Sequence, residues 1–181
     1  SDAVKILKSH DVLVDGLFVE QIGGIGVFVV GDSTERSRLQ PSNITISNSI
    51  IEHNSLYKDT YTPAIKPSRV VGLTIKNCRL AHIPSSAFGF GSANEILIKH
   101  NLIHNVVKIS GDQGAVDIYL DLTNRGIKFY QNYWKDIRNF KTEHGSAGIR
   151  LDDMISGVEI EGNIFENVGG AKFGGVQIHS G

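Results

Sequence analysis

The chain has 181 residues, enough for one sizeable core, and its 18 basic and 19 acidic side chains leave it nearly neutral. That balance excludes the broad cationic surface on which nucleic-acid binding depends, though a small cluster facing an acidic sugar polymer stays compatible with it. A single cysteine, Cys78, excludes an internal disulfide framework, and no apolar run reaches the length of a membrane span.

From the amino terminus, "SDAVKILKSH" reads as structured chain rather than as a signal peptide. A pattern then starts at Val12 in the degenerate copy "VLVDGLFVEQI". It returns as "ITISNSIIEHN" from Ile44, "LTIKNCRLAHI" from Leu73, "ILIKHNLIHNV" from Ile96, "IKFYQNYWKDI" from Ile127 and "VEIEGNIFENV" from Val158. The spacing varies while the internal pattern does not, so loops of different length hang on equal units. Between these segments lie shorter runs: "GVFVVG" (26–31), "AIKPS" (64–68), "AFGFGS" (87–92), "AVDIYLD" (115–121), "GIRLDD" (148–153) and "GVQIHSG" (175–181). The second is the poorest match, because Pro67 removes a ladder donor.

Two-residue alternation predicts strands, and no stretch holds a helical period over ten residues. Such strands are too short to stand alone and must stack on their neighbours. The expected fold is all-β, a right-handed parallel β-helix of about six coils, forming one domain over 1–181. Without polar terminal caps, this domain reads as an excerpt of a longer chain. The slot held by Ser49, Cys78, Asn101, Asn132 and Asn163 predicts an inward polar ladder that bonds the turns. "GFGSANE" (89–95) is rich in glycine but opens no helix, and reads as a turn. His100 and His104 stand four apart on a strand and turn, which disfavours a shared zinc ion.

Parity assigns the faces of the shorter runs. Val116, Ile118, Leu120, Ile149, Leu151, Val176 and Ile178 are expected inward. Two outward columns result. One holds Lys66, Gly89, Asp117, Arg150 and Gln177; the other holds Ser68, Gly91, Tyr119, Asp152 and His179, with Asp121 one step beyond. Asp153 has inward parity and is expected to bond the turn amides of residues 154–157. Short functional side chains beside glycines on one face predict a binding or catalytic cleft.

"DQGAVDIYLDLTNRGIKFYQNYWKDI", "GIRLDDMISGVEIEGNIFENV" and "GGVQIHSG" together resemble segments of bacterial right-handed β-helix proteins. These are grouped with, or lie close to, glycoside hydrolase family 141 and other carbohydrate-active β-helices. The resemblance is firmest over 82–181, and the matching positions are Asp112, Asp121, Arg125, Asp152, Asp153 and His179, with His82 a looser match. Asp117 and Arg150 both stand where that pattern has tyrosine. The resemblance implies a carbohydrate substrate and an extracellular, periplasmic or cell-surface location in a bacterium.

A glycosidase needs two carboxyl groups flanking the scissile bond. Asp121 and Asp152, outward on neighbouring coils, are the expected catalytic pair, with Asp117 the competing partner. Asp117, Tyr119, Arg150, Asp153, Gln177, His179, Lys66 and His82 are the expected substrate-binding residues. The alternative is a polysaccharide lyase acting on a uronate polymer, with Lys66, Arg150 and His179 as base and cations. In that reading a calcium ion on Asp117 and Asp152 is compatible; otherwise no cofactor or metal is expected. A non-catalytic glycan-binding β-helix is the third class.

Overall fold

The protein is described here by a computed structural model covering residues 1–139, 143–170 and 172–180; Gly181, the last residue of the "GVQIHSG" run, lies outside the described residues. Short alternating runs cannot bury an apolar face alone, and each does so by pairing with the equivalent run of the next repeat. The first repeat supplies β1 (Val4–Leu7), β2 (Leu13–Asp15) and β3 (Phe18–Glu20). The second supplies β4 (Val27–Val30), the short helix α1 (Ser33–Ser37), β5 (Ile44–Ser47) and β6 (Ile50–Glu52). In the third and fourth, β7 (Ile65–Lys76) and β9 (Phe88–Lys99) run through what are two strands elsewhere, followed by β8 (Arg79–Ile83) and β10 (Leu102–Val106). The fifth holds β11 (Gln113–Ile118), β12 (Arg125–Tyr130) and β13 (Tyr133–Ile137), and the sixth holds β14 (Ser146–Leu151), β15 (Val158–Glu161) and β16 (Ile164–Val168). β17 (Val176–Ile178) pairs onward from β14.

The protein is therefore all-β, and its strand ladders are parallel. One face stacks β1, β4, the first parts of β7 and β9, then β11, β14 and β17. A second stacks β2, β5, the later parts of β7 and β9, β12 and β15. The continuous strands β7 and β9 join these faces into one 11-stranded sheet. The third is a six-stranded sheet of β3, β6, β8, β10, β13 and β16. Inward isoleucines, valines and leucines fill the core, and Phe88, Phe129 and Trp134 are its largest fully buried side chains. The Trp134 ring meets Phe88 and Phe129 edge-on, at 6.5 and 6.1 Å between centroids.

The corner between the second and third faces is built the same way in each repeat. One residue with positive φ turns the chain: Gly16, Asn48, Asn77, His100, Gln131 and Gly162, all between 49° and 67°. Isolated left-handed residues of this kind suit glycine and asparagine. The expected polar slot follows immediately and points inward. Asn101 Nδ2 donates to Asn132 Oδ1, and Asn132 Nδ2 to Asn163 Oδ1, each at 3.0 Å. The same oxygens accept the backbone N–H of the repeat before.

Three sequence expectations differ from what is observed. "GFGSANE" is not a turn but lies within β9, where Ser92 and Glu95 bend the strand through positive φ without ending it. Pro67 sits buried within β7 opposite Val29, so the strand runs on through a residue that has no ladder donor of its own. The structured start "SDAVKILKSH" holds β1, in which Val4 and Ile6 alternate with Lys5 and Leu7. Leu120 is not inward: β11 ends at Ile118, Leu120 takes φ +59°, and its side chain is exposed. Two-residue parity does not extend past a left-handed residue.

Candidate active site

Register brings the two outward columns together. Asp117 lies opposite Gly89 on one side and Arg150 on the other, and Arg150 opposite Gln177. Ile118 pairs with Leu151 and Leu151 with Ile178, which aligns Tyr119, Asp152 and His179 one step on. These positions face away from the apolar core, yet Asp117, Arg150 and Asp152 are all buried.

Burial of three charged groups requires mutual satisfaction, and one guanidinium supplies it. Arg150 Nη2 lies 2.7 Å from Asp152 Oδ2 and 2.9 Å from Asp112 Oδ1, and Nη1 lies 3.4 Å from Asp117 Oδ1. Nη1 also donates to the Asp112 carbonyl at 3.0 Å, and Phe173 lies against the guanidinium. One positive charge thus faces three carboxyl groups. The cheapest resolution is to keep a proton on the most deeply buried of them. Loss of water around Asp117 pushes its carboxyl up to about 7, against the opposing pull of Arg150, with Asp152 and Asp112 adding to the rise. The far oxygen of Asp152 is bound by His179 Nδ1 at 2.5 Å, while the imidazole itself stays exposed.

Asp117 also lines a small cavity of about 20 Å³, room for one water or one hydroxyl group. Its floor includes the buried Ser85, Ser86 and Gln113, whose Ser85 Oγ, Ser86 Oγ and Gln113 Oε1 have no protein partner. The rim is wetter: Tyr61 is exposed, and Lys66, Gly89 and Tyr119 are half-buried. Burial raises the Tyr119 phenol above its usual range.

Asp121 stands apart from this network. Its carboxylate accepts from Arg36 Nη2 at 3.1 Å and from the Thr123 backbone N–H at 2.9 Å. Burial favours its neutral form, but bonds from Ser92 and Thr123 and the charge of Arg36 win and hold the carboxyl below its usual range. Among the described residues Asp121 and Asp152 share no hydrogen-bond partner. Asp153 is not inward: it is half-buried, with φ +56°, in the turn that ends β14. It does sit near the site, since Asp152, Asp153 and His179 bring one donor atom each within 4.8 Å of one another. Arg150 binds both Asp117 and Asp152, placing a fixed positive charge where a cation bridging those two carboxylates would go. Gln177 continues the Arg150 column, half-buried, with Oε1 unpartnered. His82 lies on β8 in the six-stranded sheet, stacked on His53 at 4.9 Å, outside the Arg150 network.

Asp112 stood out in the sequence only through the resemblance, and Ser85, Ser86 and Gln113 did not stand out at all. Their signal was weak: they precede or open strands, where polar residues are ordinary. No protein-family model, curated protein or solved structure matches this chain.

Proposed function

We propose that the chain is a right-handed parallel β-helix acting as a glycoside hydrolase, with Asp117 as general acid and Asp152 as general base or nucleophile. Three stacked faces of parallel strands support the β-helix, and the near-universal right-handedness of parallel crossovers, about 98% of cases, supports its hand. The observation that carries the enzymatic reading is the deep burial of Asp117, which lifts its carboxyl to about 7 against the pull of Arg150, beside Asp152 paired to the same guanidinium. Glycoside hydrolysis asks for this division between a carboxyl that holds its proton and one that has lost it.

Asp117 donates its proton to the glycosidic oxygen as the carbon–oxygen bond breaks. Asp152 attacks the anomeric carbon or takes a proton from the attacking water. Two carboxylates on one guanidinium lie within about 8 Å of each other, a span that admits either stereochemical outcome. His179 orients Asp152, Tyr119 offers a ring face to the sugar, and the unpartnered floor of the cavity accepts a hydroxyl. Asp121 anchors the loop leaving β11 rather than reacting. The resemblance to carbohydrate-active β-helices, at "LDD" and "IHSG", points the same way and is the sole support for a bacterial extracellular, periplasmic or cell-surface location.

The test is a glycan panel assayed for new reducing ends and for ultraviolet absorbance. Hydrolysis raises the first alone, whereas elimination raises both and would make the protein a lyase. Asp117→Asn and Asp152→Asn should each lower turnover by about 10²–10⁴, the scale for losing a general acid or base. Asp121→Asn should stay near wild type. Loss of activity in Asp121→Asn with Asp117→Asn fully active would return the catalytic role to Asp121.

A further inference from the structure

We infer that a groove at the turns between the first and second faces is a separate subsite, built for the carboxylate or sulfate group of an anionic saccharide. Its volume, about 600 Å³, falls in the ordinary range for small-molecule sites. Arg36, Arg125 and Asn124 line it beside Thr123 and Ser156, and no aspartate or glutamate does among the described residues.

Its buried side-chain atoms without a hydrogen-bond partner are donors. Asn124 is 3% exposed, and its Oδ1 accepts the Ala93 N–H at 2.7 Å. That bond fixes the amide's orientation and leaves Nδ2 without a partner. Arg36 uses Nη2 on Asp121 and on Thr123 Oγ1, at 3.1 and 2.7 Å, and its Nε is likewise unpartnered. Arg125 is exposed at the groove's edge. Buried donors without acceptors are costly, and a ligand that brings only acceptor oxygens relieves that cost. Charge agrees: Arg36 is paired with Asp121, whereas Arg125 makes no ion pair among the described residues, so its guanidinium is left for an anion to meet. Two oxygens of a carboxylate or of a tetrahedral oxyanion also match the fork of a guanidinium.

The groove is connected to the candidate active site through the chain. Residues 122–124 leave β11, the strand of Asp117, and Ser156 lies four residues beyond Asp152. That the anion belongs to a saccharide rests on the glycoside hydrolase reading.

The experiment is calorimetric binding to the full chain at low salt. The probes are a galacturonate oligosaccharide, a sulfated galactose oligosaccharide, the neutral galactose oligosaccharide of equal length, and inorganic sulfate as competitor. At least one anionic oligosaccharide should bind about tenfold tighter than the neutral one, and which of the two does so separates carboxylate from sulfate. Inorganic sulfate should erase the advantage. Arg125→Gln, at an exposed position, should cut anionic binding about three- to tenfold without changing neutral binding. Asn124→Asp keeps the acceptor for Ala93 and replaces the free donor with an oxygen, so it should abolish the preference. If Asn124→Asp fails to fold, Arg125→Gln decides alone. Equal binding of neutral and anionic probes, or a preference untouched by Arg125→Gln, overturns the inference. Cleavage is recorded separately. Anionic preference without hydrolysis sinks the hydrolase and keeps the groove, and hydrolysis without anionic preference does the reverse.

Discussion

Asp117 is held by two opposed forces, and their balance sets both chemistry and stability. Burial disfavours its charge, and Arg150 at 3.4 Å favours it, but that guanidinium is also claimed at shorter distance by Asp112 and Asp152. Desolvation therefore wins, and the folded-state pKa lies near 7, well above that of an unfolded aspartate. Between about pH 4 and pH 7 the folded chain holds a proton that the unfolded chain releases, so stability falls as pH rises through this window. Above about 7 the full cost is present. Asp117→Asn removes it and should stabilise the fold by about 2–4 kcal/mol at pH 8, with little effect near pH 4. Urea midpoints of the two proteins at both pH values measure this directly. A wild type more stable than Asp117→Asn at pH 8 would mean that pairing outweighs burial, and the general-acid role would go with it. In the same reading, turnover declines as pH rises past about 7 because the acid loses its proton.

At the level of strands and corners, the polar ladder is the feature most open to test. Asn132 Nδ2 donates to the Ile98 carbonyl and to Asn163, while its Oδ1 accepts from the Asn101 backbone and side chain. Asn132→Leu strands these partners in the interior and should destabilise the protein by about 2–4 kcal/mol, seen as a lower denaturation midpoint. An unchanged midpoint would show that water replaces the side chain. This ladder was legible in the sequence because the slot recurs at a fixed offset from the alternating run. The outward columns were legible for the same reason, as long as parity held. Parity failed at Leu120 and Asp153, both just past strand ends and both with positive φ, a backbone state that side-chain alternation does not encode. The aspartate most affected was Asp121, which its loop carries to Arg36, far away in sequence on the connection from β4 to β5. Asp117 and Arg150 illustrate the converse. Each departs from the resembling pattern, and they stand opposite one another in register and form an ion pair.

Across the whole molecule, each strand's ladders run to the equivalent strands of adjacent repeats, so stability should be distributed along the stack rather than pooled. Burial gives the expected gradient. β7 and β9 are paired on both sides along both faces, and their later parts, from Leu73 and from Ile96, alternate between buried and half-buried positions. β15, β16 and β17 have no fully buried residue, and Ile164 and Ile178 are more than 60% exposed. The aromatic core thins likewise: Trp134 is fully enclosed, whereas Phe165, stacked on it at 6.0 Å, is half-buried. Amide hydrogens open locally with free energies that follow buried contacts, so native-state exchange should be slowest in the later parts of β7 and β9 and fastest in β16 and β17. The mutation at Asn132 should then accelerate exchange in β12, β13, β15 and β16 while leaving β1 and β4 near their original rates, because the lesion is felt through neighbouring repeats. Uniform protection along the chain, or equal acceleration at both ends in Asn132→Leu, would describe a single all-or-none unit instead. In that case the Arg150 network and the core would have to be coupled over the full length of the stack.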